Sequence, residues 1–432
     1  MITSLRLLNF KNFADETLRV GPFTMIVGAN ASGKSNIRDA FRFLHGISRG
    51  YTLAEIIGGK YGADWKPIRG AANEIVRFGQ AAFSIEVRMK LEDADVCYLI
   101  EVSSNKEIPH EFRFTKEKLT GVLKPGHKRD FGSFSVTSDP DRDVSVRTQS
   151  DAFPLLLNMF LAIKEGDPKV QTKFQPALER MGEPIDIAFP SKKYLEPYIQ
   201  QIIDIFAKMR FLELSPDQMR EPAFPGATIL GDSGENLPVV LEDICTDPKR
   251  KEILADWLCE LTPMDVKGFE FQRDPRGRVH LMLCEANGSK VSAYSASDGT
   301  LRFLAMLAAL LGTNPAGLYF FEEIDNGIHP VRQSLLLELI EKQAAKGEIQ
   351  VVTTTHAPDL LTLVNDSTFE NMSVVCRLQD SQDAIIRPVA ELPNGRELRT
   401  SGRGLGGLLA EGWMETALGF TENHGEAEGD GE

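Results

Sequence analysis

Gly28-Ala-Asn-Ala-Ser-Gly33-Lys34-Ser35 fills the pattern G-x-x-x-x-G-K-[ST] at every position. Two glycines let a short loop wrap with its backbone N–H groups pointing inward at phosphate oxygens. Lys34 then reaches the β- and γ-phosphates, and the Ser35 hydroxyl sits on Mg²⁺. The flanks agree with that chemistry. Phe23-Thr-Met-Ile-Val27 reads as a strand running straight into Gly28, and Ile37, Ala40, Phe41 and Leu44 recur at helical spacing. The helix that follows turns its N-terminal dipole toward the same anion. Gly28, Asn30, Ala31, Ser32, Gly33, Lys34, Ser35 and Asn36 are therefore the candidate ATP contacts.

Far downstream, Leu318-Tyr-Phe-Phe-Glu322-Glu323 is an apolar run that ends in two carboxylates. A buried strand delivers both acids to its C-terminal edge, beside the Gly-rich loop. Glu322 is placed to hold Mg²⁺ through water, and Glu323 to polarise the attacking water. Asp325-Asn-Gly-Ile-His329-Pro330 follows, and Pro330 suits the first turn of a helix that runs to about Ala345 and stops at Gly347. A further apolar strand, Ile349–Thr355, ends in His356, a candidate sensor of the γ-phosphate because imidazole can donate to an oxygen.

Between these motifs the chain reads more coarsely. Ile2, Leu5, Leu7, Leu8 and Phe10 alternate as in a strand, and alternation dominates again over about 74–116, which predicts an antiparallel sheet. Residues 120–148 are polar and read as a loop, and 150–212 are mostly helical in pattern. A β-meander is expected before residue 295, with turns at Asp274–Gly277 and Asn287-Gly288. The expected fold is α/β: a P-loop NTPase head with a mixed-sheet core, an antiparallel β-subdomain and an inserted helical lobe. One composite head spans 1–420, its core drawn from about 1–120 and 290–420 and its lobe from about 121–289.

Composition narrows the class. No apolar run approaches the roughly 20 residues that span a bilayer, and no secretory leader is legible at Met1-Ile-Thr-Ser-Leu-Arg. Five cysteines are scattered without CxxC spacing, which speaks against a disulfide framework or zinc site and for a reducing cytoplasm. The net charge is −14, and Glu422 to Glu432 hold five acidic groups with no Lys or Arg, so 421–432 is expected to be a disordered acidic tail. An acidic protein gains little from counterion release on DNA, so any DNA contact would need a local basic groove.

Taken together, these motifs resemble the ABC-type ATPases of the SMC/RecF/OLD branch. Leu5-Arg-Leu-Leu-Asn-Phe-Lys11-Asn12-Phe looks like that branch's opening strand and turn. Ser295-Ala-Ser297-Asp298-Gly299-Thr300 looks like its signature loop, and Phe321–Pro330 resembles the Walker B and D-loop of OLD-like members. Gly231-Asp-Ser-Gly-Glu-Asn236-Leu237 resembles a further segment of the branch, and His356 falls on its switch histidine. The resemblance implies nucleotide-site roles for Lys11, Asn12, Ser297, Asp298 and Gly299. It also implies a head-to-head homodimer in which each signature loop serves the other protomer's ATP. Three features depart from the pattern: Glu322 stands where most members have Asp, Asp298 replaces the first signature glycine, and Gln80, Gln149 and Gln218 all stay open for the Q-loop. There is no coiled-coil arm, and too little chain follows His356 for the TOPRIM nuclease of OLD proteins.

Two readings of the biology follow. Compact OLD-like ATPases of anti-phage systems imply a slow ATPase switch that controls a separately encoded effector, a nuclease or toxin. The alternative is a RecF-like DNA clamp; a transport ATPase is a distant third. Gly402–Gly407 satisfies G-x-G-x-x-G but lacks a preceding strand and reads as a loop. The basic clusters Lys124–Arg129, Arg273–Arg278 and Arg396–Arg403 read as solvated turns, the second being the one to test for DNA.

Overall fold

The computed structural model describes residues 1–58, 65–104, 112–124, 133–138, 192–261, 266–326, 328, 330–357, 360–377, 382–399 and 407. The strands are β1 (Ile2–Phe10), β2 (Phe13–Arg19), β3 (Phe23–Val27), β4 (Ala82–Lys90), β5 (Ala94–Ser104), β6 (Phe112–Leu123), β7 (Ser133–Ser138) and β8 (Met209–Leu212). They continue as β9 (Val266–Arg273), β10 (Val279–Glu285), β11 (Lys290–Ser292), β12 (Leu318–Phe321), β13 (Gln350–Thr355), β14 (Met372–Arg377) and β15 (Ala384–Pro388). The helices that matter here are α1 (Lys34–Ser48), α2 (Leu53–Ile57), α3 (Lys192–Ala207), α4 (Pro216–Arg220), α5 (Leu237–Ile244), α6 (Pro248–Leu261), α7 (Asp298–Leu311) and α8 (Pro330–Ala345). The fold is mixed α/β. The chain divides into two compact units, one of Met1–Gly21, Ala29–Lys208 and Ser373–Pro388, the other of Pro22–Gly28, Met209–Met372 and Val389–Glu432.

The first unit is a β-meander, β7-β6-β5-β4-β1-β2, with neighbours antiparallel; β15 joins β2 by a parallel bridge and pairs with β14. Along β5 the buried residues alternate (Ala94, Val96, Tyr98, Ile100, Val102), as a sheet with one covered face requires. Helix α1 supplies that cover: Phe43 meets Phe83 of β4 edge-on at 5.5 Å, and Phe83 meets Phe10 of β1 at 5.2 Å. Such aromatic pairs add to the area they bury.

The second unit holds an all-parallel sheet ordered β3-β13-β12-β8. Every residue of β3, β12 and β13 is buried, the pattern of strands covered on both faces, and α8 makes the crossover from β12 to β13. Beside it, β9, β10 and β11 form the expected meander. Its turns close through Gly277 N–H donating to the Asp274 carbonyl at 2.8 Å and Gly288 N–H donating to the Glu285 carbonyl at 3.0 Å.

Two expectations are corrected. The 120–148 loop is interrupted by structure: β6 continues to Leu123, and β7 pairs with it antiparallel. Ser133-Phe-Ser-Val-Thr-Ser138 does alternate, but six largely polar residues among charges carry little period-2 signal. In the stretch read as helical, Lys192–Ala207 is helix, whereas Met209–Leu212 is a strand paired with β12. Four residues are too few for periodicity to separate the two states, and the parallel partner decides. Residues 151–191 and the acidic tail lie outside the described residues, as does the Gly402–Gly407 stretch apart from Gly407. Among the described residues no helix is long and apolar enough to cross a membrane.

Candidate nucleotide site

The Gly28–Ser35 loop begins where β3 ends. Its turn is tight: Ala31 sits at φ 61° and Gly33 at φ 118°, and a Cβ at Gly33 would lie 2.9 Å from Asn12 Nδ2. The positive φ favours glycine there, and an added Cβ would also push against the Asn12 side chain. α1 starts at Lys34, as the helical spacing predicts, with no side-chain cap on its first N–H groups. Uncapped helix-start donors are what a bound phosphate satisfies. Ala29, Asn30 and Ala31 are exposed along the rim, while Lys34 is buried with its ammonium donating to the Ala29 carbonyl at 2.7 Å. Ser32 Oγ is buried and finds no hydrogen-bond partner among the described residues. An orphaned hydroxyl in this loop fits a phosphate oxygen as its partner.

The family-implied Lys11 and Asn12 brace this loop from β1's end. Asn36 Nδ2 donates to Asn12 Oδ1 at 2.7 Å. Lys11, at φ 55°, donates through Nζ to Asp39 Oδ2 and, at 2.7 Å, to the Arg69 carbonyl. Asp39 is fully buried on α1 and also faces the guanidiniums of Arg69 and Arg38. Burial pulls the Lys11 ammonium below its ordinary pKa, against the attraction of Asp39. Arg69 in turn donates to the Ser35 carbonyl at 2.6 Å. Asp39 and Arg69 were not singled out from sequence; an acid one helical turn beyond Ser35 was the available signal.

In the second unit the parallel sheet aligns the other motif residues at one carboxyl edge. Val27 is in register with Thr355 and Phe321 with Thr353, so Gly28, His356 and Glu322 continue from three adjacent strands. Ligands of parallel α/β sheets bind at that edge. Glu322 is half-buried, and Glu323 and His356 are exposed. Glu323 holds φ 48°, an uncommon conformation for a side-chain-bearing residue, and three threonines of β13 support the turn around it. Thr353 Oγ donates to the Phe321 carbonyl at 3.2 Å, Thr354 Oγ accepts from Glu323 N–H at 3.0 Å, and Thr355 Oγ donates to Asp325 Oδ1 at 2.7 Å. The threonine run was missed because β-branched residues at a strand end read simply as strand.

Ser297, Asp298 and Gly299, the residues that the resemblance assigns to a signature loop, open α7. Ser297 is its N-cap, accepting from Thr300 N–H at 3.2 Å, and the helix includes Asp298 and Gly299. Asn236 closes the Gly231–Leu237 segment by accepting from Gly231 N–H at 2.8 Å and donating to the Ile229 carbonyl at 2.9 Å. Gln218 accepts from Ser233 Oγ and Gln80 is exposed, while Gln149 lies outside the described residues, so the Q-loop stays open. Among the described residues no group of three or more His, Cys, Asp or Glu forms a metal cage. Mg²⁺ beside phosphates needs only one or two protein ligands.

Residues 1–213 match a family model described as "AAA ATPase domain", and residues 264–362 match one described as "AAA domain, putative AbiEii toxin, Type IV TA system". Both matching models are described as AAA domains. The first matched stretch contains the whole Gly28–Ser35 loop, and the second contains Ser295–Thr300, Glu322, Glu323 and His356. No curated protein matches the chain. Similar solved structures include an SMC head bound to the C-winged helix domain of ScpA, at 14% identity over 89% of this chain and 96% of that one, TM-score 0.44. Another is the SMC head domain from Thermotoga maritima, at 12% identity over 90% of this chain and 98% of that one, TM-score 0.37.

Proposed function

We propose that the protein is an ATP-binding and slowly ATP-hydrolysing switch of the ABC/SMC type, active as a head-to-head homodimer that controls a separate effector protein. The observation that carries the reading is the shared carboxyl edge of β3, β13 and β12, which supports one phosphate site fed by Gly28, His356 and Glu322. Backbone N–H groups of the loop, Ser32 and Lys34 would hold the phosphates, and Ser35 with Glu322 would hold Mg²⁺. Mg²⁺, when bound, supplies neutralisation of the charge that develops on the phosphate oxygens. Glu323 would orient and deprotonate the attacking water, with His356 donating to the terminal phosphate. Ser297 and the N–H groups at Gly299 would complete the site of the other protomer.

An effector is favoured over direct DNA binding by the pairing of four arginines from two of the basic clusters. Arg273 pairs with Glu242, Arg278 with Asp274, Arg396 with Glu370 and Arg399 with Asp366. Cations already matched to carboxylates release few counterions on DNA. The toxin–antitoxin wording of the family model over 264–362 also suits an ATPase that works with a second gene product, in anti-phage defence.

Complementation tests the dimer. Ser297→Arg and Lys34→Ala should each abolish hydrolysis alone, because one blocks the closing loop and the other empties the cradle. Mixed, they form heterodimers with one doubly lesioned site and one intact site, and activity should return toward half of wild type per dimer, about a twofold deficit. Absence of both rescue and ATP-dependent dimerisation of Glu323→Gln in sedimentation would refute the head-to-head reading. Co-purification from the native operon tests the effector.

A further inference from the structure

Arg220 is a cation that the site described above does not use, yet it grips the signature loop from α4. Its Nη2 donates to the Ala296 carbonyl at 3.1 Å and to Asp298 Oδ1 at 2.5 Å, and its Nη1 reaches Asp217 Oδ1 at 3.1 Å. The pairing is asymmetric. The Arg220 side chain is mostly covered, at 18% exposure, whereas Asp298 remains 65% exposed at the mouth of α7. The chain thus presents an outward carboxylate next to Ser297 and Gly299, the donors proposed to receive a terminal phosphate. A carboxylate and a phosphate brought together repel each other strongly as water is excluded.

We propose that Arg220 is a positioning residue of the signature loop: it neutralises and orients Asp298, so that the loop can close on a phosphate carried by a second copy of this chain. The inference rests on the dimer reading and deepens it. Asp217, on the same short helix, also holds the guanidinium. The bond to the Ala296 carbonyl fixes the backbone immediately before Ser297, so charge and loop geometry are set by one side chain.

The experiment is a charge cycle in the full-length protein. Arg220→Ala should lower kcat by at least about tenfold, the effect expected of an uncompensated carboxylate at a phosphate. ATP affinity of the protomer should stay unchanged, since the lesion acts on the other protomer's nucleotide. Adding Asp298→Asn to Arg220→Ala should recover most of the lost kcat, and Arg220→Lys should retain more activity than Arg220→Ala. A double variant as slow as Arg220→Ala, or an Arg220→Ala enzyme as fast as wild type, overturns the proposal. Mixing supplies the second arm. Arg220→Ala should regain activity with Lys34→Ala, as Ser297→Arg does. If Ser297→Arg complements and Arg220→Ala does not, the positioning role is wrong and the dimer reading stands. If neither complements, the dimer reading has failed and takes this inference with it.

Discussion

The Thr355 hydroxyl donates to Asp325 Oδ1 at 2.7 Å and so ties the end of β13 to the turn that carries the two acids after β12. The same oxygen accepts from Ala357 N–H at 3.0 Å, next to His356. One side chain therefore sets the spacing between the strand that leads into His356 and the turn that carries Glu323. Thr355→Val keeps the β-branched shape but removes both bonds. If Glu323 orients the attacking water as proposed, the substitution should cut kcat by roughly ten- to hundredfold through misplacement of that acid, with ATP affinity retained. Steady-state hydrolysis and nucleotide titration check this, and an unchanged kcat would show that the tie is only structural.

Lys34→Ala should abolish ATP binding, because it removes the ammonium that the loop holds at its centre. Titration of the purified variant with nucleotide reads this directly. Retained micromolar affinity would remove the Gly28–Ser35 assignment.

Glu323→Gln should keep ATP binding while slowing hydrolysis by roughly two to four orders of magnitude, and should accumulate a long-lived ATP-bound dimer. Glu322→Gln should instead weaken the dependence on Mg²⁺. If the trapped dimer appears with Glu322→Gln and not with Glu323→Gln, the two roles are exchanged.

Tyr319 gives a stability prediction with a definite sign. Its phenol is buried, donates to the Ala309 carbonyl at 2.6 Å and accepts from Ala316 N–H at 2.9 Å, and burial pushes its pKa up to about 12. The folded value lies above the unfolded one, so the contribution is complete below about pH 10 and is lost as pH rises through about 12. That loss is on the order of 3 kcal/mol. Tyr319→Phe should cost about 1–2 kcal/mol at neutral pH by leaving two backbone groups without partners. It should also show a weaker decline over the alkaline window in denaturant melts. Parallel alkaline limbs for the two proteins would place the titration elsewhere.

What could be read along the chain was whatever local geometry encodes. The strand–loop–helix around Gly28–Ser35 follows from an apolar run, two glycines and a 3.6-residue period, and the structure reproduces it from Phe23 to Ser48. The turn at Asn287-Gly288 and the strands ending at Phe321 and Thr355 were legible for the same reason, since turn chemistry and continuous burial are written in consecutive residues. Short segments were not legible. Met209–Leu212 became a strand because an edge of β12 was there to pair with it, and Ser133–Ser138 because β6 was. The interleaved order β3-β13-β12 is likewise a tertiary decision: it brings Gly28, His356 and Glu322 to one edge across most of the chain, and no local pattern encodes which distant strand lies between which. The supporting contacts belong with it. Nothing local marks Thr355, Asp39 or Arg220, and packing alone sets each against a particular partner. Sequence determines what a residue can bond to; only the folded chain fixes which partner is within reach.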